Sequence, residues 1–230
     1  MLGPGKGIGL NSADHHVYLS IREQIFDGRL PANSFIHIQS LATFHKVSAL
    51  PVREALIRLS AEDLVEYNRS RGFMPSLISL NTLVDSYDII YHIYQLNLRI
   101  NIATKPADNL PDDEIIMSIA EDENITARSV DEALELFASR LLREHFYGCF
   151  LRELRRTRPF RFQTFQLRDD IALIAEYIRD MKAMVINREY AKIYRTNRDF
   201  QRANISKLKD RYHLFVENTR KSQVYNTIIS

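Results

Sequence analysis

The sequence is short of cysteine and has no tryptophan: one cysteine, Cys149, in 230 residues. A lone cysteine excludes an internal disulfide and fits a reducing compartment. With Phe146, Phe150 and Leu151 beside it, Cys149 reads as a small buried hydrophobe rather than a reactive thiol. No run approaches eighteen apolar residues, so no stretch is a candidate membrane span. Glycine is scarce, seven in all, and four of them fall in Met1 to Leu10. That segment, residues 1–10, lacks the apolar core of a signal peptide and is expected to be a disordered lead. There is no glycine-rich phosphate loop, no nucleophile elbow and no metal-ligand spacing. Scattered Ser, His and Asp make no triad without geometry, so the chain reads as a non-enzyme with no cofactor. No internal repeat or low-complexity tract occurs.

Neither sign of charge dominates the whole, since the net charge is +2. The charge is divided unevenly along the chain. Residues 1–79 carry 8 basic and 7 acidic side chains, residues 80–150 carry 5 and 13, and residues 151–230 carry 18 and 9. An acidic middle beside a basic last third suits either helices pairing their own faces or an anion-binding surface.

Val17, Ile21 and Ile25 recur at helical spacing and predict a helix from Asp14 to Asp27, closed by Gly28. Ile38, Leu41 and Ala42 predict a second, short helix over 39–45. Ser48 is placed to cap a third, with Pro51 in its first turn and Val52, Ala55, Leu56 and Leu59 as one apolar stripe. Leu64-Val65-Glu66-Tyr67 and Phe73-Met74-Pro75 read as two strands around the polar turn Asn68 to Gly72, a hairpin. After Ser79 helical spacing returns at Leu83, Tyr87, Ile90, Tyr91, Tyr94 and Leu98. Further helices are expected near 112–120, over 130–155, over 167–186 and over 188–208, with Pro159 as an interruption. The expected fold is mainly α. A winged helix-turn-helix of three helices and a β-hairpin wing spans 11–79, an all-α antiparallel helical bundle of five or six helices spans 80–220, and 221–230 is a tail.

The ordered set Ile21, Ile25, Gly28-Arg29-Leu30, Leu41-Ala42, Val47-Ser48, Pro51-Val52-Arg53-Glu54-Ala55-Leu56, Arg58-Leu59, Leu64-Val65 and Arg71-Gly72 resembles the DNA-binding domain of GntR-family bacterial repressors. The helical second half is similar in length and layout to the FadR-like subgroup. The resemblance implies a cytoplasmic transcription regulator, a repressor, that binds a palindromic operator in double-stranded DNA as a homodimer. It implies a DNA-contacting set at Gln39, Lys46, Ser48, Ala49, Leu50, Arg53, Arg69, Arg71 and Gly72. Within that set Arg53 is expected on a guanine edge or phosphate, Ser48 at a phosphate, and Arg69 and Arg71 along the backbone or in the minor groove. The sequence departs from the family at several of these positions. Ala49 and Gln39 stand where basic residues are usual, Leu50 replaces a threonine, and Lys46 and Asp63 replace glycines. Leu50 and Ile57 leave apolar surface on the reading side of the third helix. This favours thymine methyl groups as contacts or, alternatively, a protein-interaction module on a winged-helix scaffold.

Metal-binding FadR-type domains use an aspartate and three histidines. The corresponding positions here fall near Glu135, Ser139, Tyr177 and Asp199, so no metal site is expected. The aromatics Tyr87, Tyr91, Tyr94, Phe137, Phe146, Tyr147 and Phe150 read as packed core. They also suit a small-molecule effector pocket bounded by Tyr91, His92, Tyr94, Gln95 and His145. The run Arg152, Arg155, Arg156, Arg158, Arg161 is expected as a solvated helix end, a partner for the acidic stretch 112–135, or an anion-binding group.

Overall fold

Helix α1 (Ser12–Phe26) buries Val17, Tyr18, Ile21, Ile25 and Phe26, which recur every three to four residues and so share one side. Gly28 follows at φ 72°, the left-handed conformation that glycine adopts without steric cost. Helix α2 (Ile38–His45) and helix α3 (Ala49–Ala61) are joined by a tight turn. Lys46 makes that turn at φ 56°, its N–H bonded back to the carbonyls of Ala42 and Thr43. Strands β1 (Val65–Asn68) and β2 (Gly72–Pro75) then pair antiparallel, with Val65 opposite Pro75 and Asn68 opposite Gly72.

The structure, a computed structural model, describes residues 12–104, 126–164, 174, 176–181, 183–184, 187 and 189–229. They fall into two compact units, Met1–Leu77 with Ser222–Ser230, and Ile78–Lys221.

In the first unit, α3 supplies Val52, Leu56 and Leu59, each with no exposed surface, against the apolar side of α1. Burying side chains of this size contributes about 1.5–3 kcal/mol apiece. The turn from Asn33 to Ile36 is pinned to β2 by Asn33 N–H donating to the Pro75 carbonyl and Ile36 N–H to that of Phe73, both at 2.9 Å. The sheet edge is thereby tied to the helices.

The second unit is helical among the described residues. It holds α4 (Leu80–Thr104), α5 (Ala127–Leu141), α6 (Glu144–Arg156), the short α7 (Arg158–Thr164), helical residues over 176–181, and α8 (Tyr190–Ile229) as far as Lys221. Its core joins Ile93, Tyr94, Val130, Phe137, Phe150, Leu154, Ile178, Met181 and Ile193.

Several sequence expectations change. The single helix over 130–155 is two, broken at Leu142 and Arg143. Buried Asn97 of α4 serves that break: its Nδ2 donates to the Leu141 carbonyl at 3.0 Å and its Oδ1 accepts from the Arg143 N–H at 3.2 Å. The interruption expected at Pro159 falls at Thr157, between α6 and α7, and Pro159 itself lies in the first turn of α7, where it sacrifices no intrahelical bond. Helix α8 runs 40 residues and continues through the expected tail. Its buried positions Ile193, Asn197, Asn204, Leu208, Phe215 and Thr219 repeat on one side, but three are polar, which hides the stripe from a search for apolar spacing. Cys149 is exposed, because α6 turns Phe150, Glu153 and Leu154 inward and leaves 149 facing out. The helix expected near 112–120 lies outside the described residues.

Lys46 and Asp63 are non-glycine residues at φ 56° and 60°, where a Cβ costs roughly 1–2 kcal/mol. Glycine at either position relieves that cost but loses part of it to its freer unfolded chain. Lys46→Gly and Asp63→Gly should therefore each raise the stability of the first unit by a few tenths to about 1 kcal/mol. Urea melts of the two variants check this, and a loss of stability refutes it.

Candidate nucleic-acid interface and ligand cavity

The side of α3 away from the core is set by what the core takes. Val52, Ala55, Leu56 and Leu59 are buried, so Leu50, Arg53, Glu54 and Ile57 are exposed. Leu50 and Ile57 are 63% and 60% exposed, high for large apolar side chains. Ser48 holds the N-cap position in extended conformation, yet its side chain makes no cap hydrogen bond. Its hydroxyl therefore remains available at a helix N-terminus, where partial positive charge favours anions.

The tilt of α3 is held by a polar clamp. The Tyr18 hydroxyl of α1 donates to the Glu62 carboxylate at 2.7 Å, just after α3. The Arg58 guanidinium lies 3.8 Å from the Tyr18 ring centroid and its Nε is 3.8 Å from Glu62. Burial, with the neighbouring Glu62 carboxylate, raises the Tyr18 phenol above its ordinary range, so it stays a donor at neutral pH. Arg58 is thus occupied with packing and leaves Arg53 as the basic side chain of α3's exposed side.

The wing turn is the three residues Arg69, Ser70 and Arg71. Asn68 Oδ1 accepts from the Ser70 N–H at 3.0 Å and from its hydroxyl at 2.7 Å, and Gly72 closes the turn at φ 85°. Open space surrounds the position of a Cβ on Gly72, so the backbone angle alone calls for glycine. Arg71 is carried over the Phe35 ring at 5.9 Å, while Arg69 projects exposed from the tip. Of the remaining expected contacts, Gln39 and Lys46 are exposed on α2 and its following turn, and Ala49 is half-buried at the start of α3.

In the second unit a cavity of about 70 Å³ opens among α4, α5, α6, α7, the helical residues near 174–178 and α8. Tyr91 and Tyr94 line it. His92 and His145 do not: both are exposed, each a helical step away from the inward side. Gln95 is half-buried but off the wall. The sequence reading missed Arg161, Tyr177 and Asn197, which do line it. Tyr177 stacks on Phe200 at 3.8 Å and donates from its hydroxyl to Asn197 Oδ1 at 2.7 Å. Burial pushes the phenols of Tyr94 and Tyr177 up, keeping both neutral.

Beneath the wall lies a buried ionic group. Asp131, 2% exposed, pairs with both Arg158 and Arg161. Arg161 also donates to the Thr157 hydroxyl, and Arg158 reaches Glu135 at 3.2 Å. The arginine run therefore divides: Arg152 is solvated while Arg158 and Arg161 face inward. Spacing carried that signal. Arg158 and Arg161 are three apart and Asp131 and Glu135 four apart, so each pair shares one helix face.

Residues 13–74 match the family profile described as "Bacterial regulatory proteins, gntR family". They form a GntR-family winged helix-turn-helix domain. Over 65 residues the chain is 40% identical to the uncharacterized HTH-type transcriptional regulator BphR of Paraburkholderia xenovorans (strain LB400), 28% of this chain and 26% of that protein. The match thus spans about a quarter of that curated relative. Similar folds over nearly the whole length are a GntR transcriptional regulator structure from Rhodococcus sp. RHA1 and Escherichia coli McbR/YncC. The first has TM-score 0.68 at 13% identity, covering 87% of this chain and 99% of that one; the second has 0.63 at 16%, covering 88% and 100%. These identities show a shared fold. In the GntR domain here, Lys46 and Asp63 keep the left-handed backbone even though neither is glycine.

Removing the shared carboxylate leaves two buried guanidinium groups short of countercharge. Asp131→Ala should destabilise the helical unit by about 3–5 kcal/mol, the cost of breaking a buried ion pair from one side. A urea midpoint unchanged from wild type contradicts this account.

Proposed function

We propose that the chain is a cytoplasmic transcription regulator, a repressor, that binds a palindromic operator in double-stranded DNA as a homodimer. Each copy places α3 in the major groove of one half-site. A small-molecule effector in the helical cavity changes operator affinity. The observation that carries this reading is α3's exposed side. Arg53 stands there beside the free Ser48 hydroxyl, on a helix whose tilt is clamped by Tyr18, Arg58 and Glu62. GntR-type proteins are regulators rather than enzymes, and no helix among the described residues is long and apolar enough to cross a membrane. In this arrangement Arg53 reads a guanine edge, Ser48 and Lys46 hold phosphate, and Arg69 and Arg71 follow the backbone from the wing. Gln39, Ala49, Leu50 and Gly72 complete the contact surface.

Residues 1–79 carry a net charge of only +1, so general attraction to phosphate is weak and specific contacts matter more. Affinity for the selected operator should fall steeply with salt, and Arg53→Ala should weaken it by about 1–3 kcal/mol while leaving the helical content unchanged. Fluorescence anisotropy at several salt concentrations measures both. Binding equal to that of random duplex, untouched by Arg53→Ala, defeats the regulator reading.

The second reading, a protein-interaction module, is favoured by the exposure of Leu50, Ile57 and Phe44, the last at 71%. Thymine methyl contact and protein contact make different predictions for Leu50. If Leu50 meets a thymine, replacing that base by deoxyuridine should weaken binding by about 0.8 kcal/mol, the value of one buried methyl-sized group. Leu50→Ala should abolish the difference. Equal affinity for both duplexes at every position supports the interaction-module reading.

A further inference from the structure

The helical cavity combines three features that together select a ligand by charge. The first is one unspent donor. Asn197, on α8, is 4% exposed. Its Oδ1 is engaged by the Tyr177 hydroxyl, while its Nδ2 has no partner among the described residues. A buried amide N–H left unpaired is costly, and an acceptor atom in the cavity would satisfy it.

The second is that, among the described residues, the cation lining the cavity is already paired with a carboxylate. Among the described residues Arg161 is the cation on the wall, and its Nη2 is bonded to Asp131 and its Nη1 to Thr157. The group beneath sets Arg158 and Arg161 against the buried Asp131, with half-buried Glu135 pairing with Arg158 and, at 3.8 Å, with Arg155. A carboxylate ligand approaching Arg161 would meet a guanidinium already neutralised and would lie beside Asp131. It would surrender its hydration without gaining a countercharge. At the rim, Gln201 is held by Asp88 and Asn204 accepts from Arg211.

The third is size. The remaining wall is largely tyrosine, phenylalanine and isoleucine around about 70 Å³, roughly half the apolar cavity volume that holds a benzene ring.

Resting on the effector reading above, we infer that this cavity binds a small uncharged molecule of a few non-hydrogen atoms. It carries one hydrogen-bond acceptor on an apolar body, such as a short ketone or amide, and that acceptor accepts a hydrogen bond from the Asn197 Nδ2–H. Tyr177 is then a positioning residue: its hydroxyl fixes the amide so that the donor end faces the cavity.

Isobutyramide and isobutyrate have nearly the same shape and differ in charge, so they serve as paired probes. Methyl NMR of the full chain labelled at isoleucine reports binding locally, since Ile90 and Ile174 line the cavity. Isobutyramide should shift these two methyls saturably, with at least tenfold tighter apparent binding than isobutyrate at neutral pH. Asn197→Leu should remove the isobutyramide response, with the spectrum otherwise preserved. Isobutyrate binding as tightly as isobutyramide overturns the uncharged-ligand inference but leaves an effector cavity standing. The same holds if the isobutyramide response survives in Asn197→Leu. No response of Ile90 or Ile174 to either probe removes both. The amide–carboxylate contrast in wild-type protein decides the matter even where the variant fails to fold.

Discussion

Helix α3 can bury only one side, and the rest of the reading face depends on which side that is. Val52, Leu56 and Leu59 are driven against α1 by loss of apolar surface to water. That choice leaves Leu50, Arg53 and Ile57 outward as a geometric remainder. The Tyr18–Arg58–Glu62 clamp then removes the freedom to rock about the apolar contact. It uses a basic residue that a sequence reader would otherwise spend on DNA. The wing is coupled to the same frame, because Asn33 and Ile36 bond to β2 and Arg71 rests on Phe35.

The helical unit solves a different problem. Its core carries charge, with Asp131 shared by Arg158 and Arg161 beneath an aromatic wall. An arrangement of this kind stabilises little against a well-packed apolar alternative, yet losing one member is costly. It also occupies the Arg161 guanidinium, which lines the cavity, with a carboxylate from behind the wall. On the same wall the Asn197 amide N–H has no hydrogen-bond partner among the described residues.

Much of the first unit was legible in the sequence because its signals are local. The 3.6-residue stripes of α1 and α3, Gly28 after α1 and the polar turn of the wing each depend on a few neighbouring residues. Arg53, Leu50 and Ile57 follow from the stripe by subtraction. In the second unit legibility fell. Asn197, Asn204 and Thr219 lie on the buried side of α8, so apolar spacing alone ends the helix near 208. Asn97, far away in sequence, is needed to see why α5 and α6 part at Leu142.

By itself the sequence determined the order of elements in the winged helix, the outward position of Arg53 and the mainly helical character of the remainder. These rest on periodicity and turn chemistry, which act over one or two helical turns. Tertiary structure alone decided which arginines are spent. Arg58 went to Tyr18 and Glu62, and Arg158 and Arg161 went to Asp131. It likewise turned His92 and His145 out of the cavity and brought Asn197 and Tyr177 in. A side chain's charge is written in the sequence. Whether that charge is already neutralised depends on what the fold brings within a few ångströms, because ionic and hydrogen-bond energies fall off over that distance.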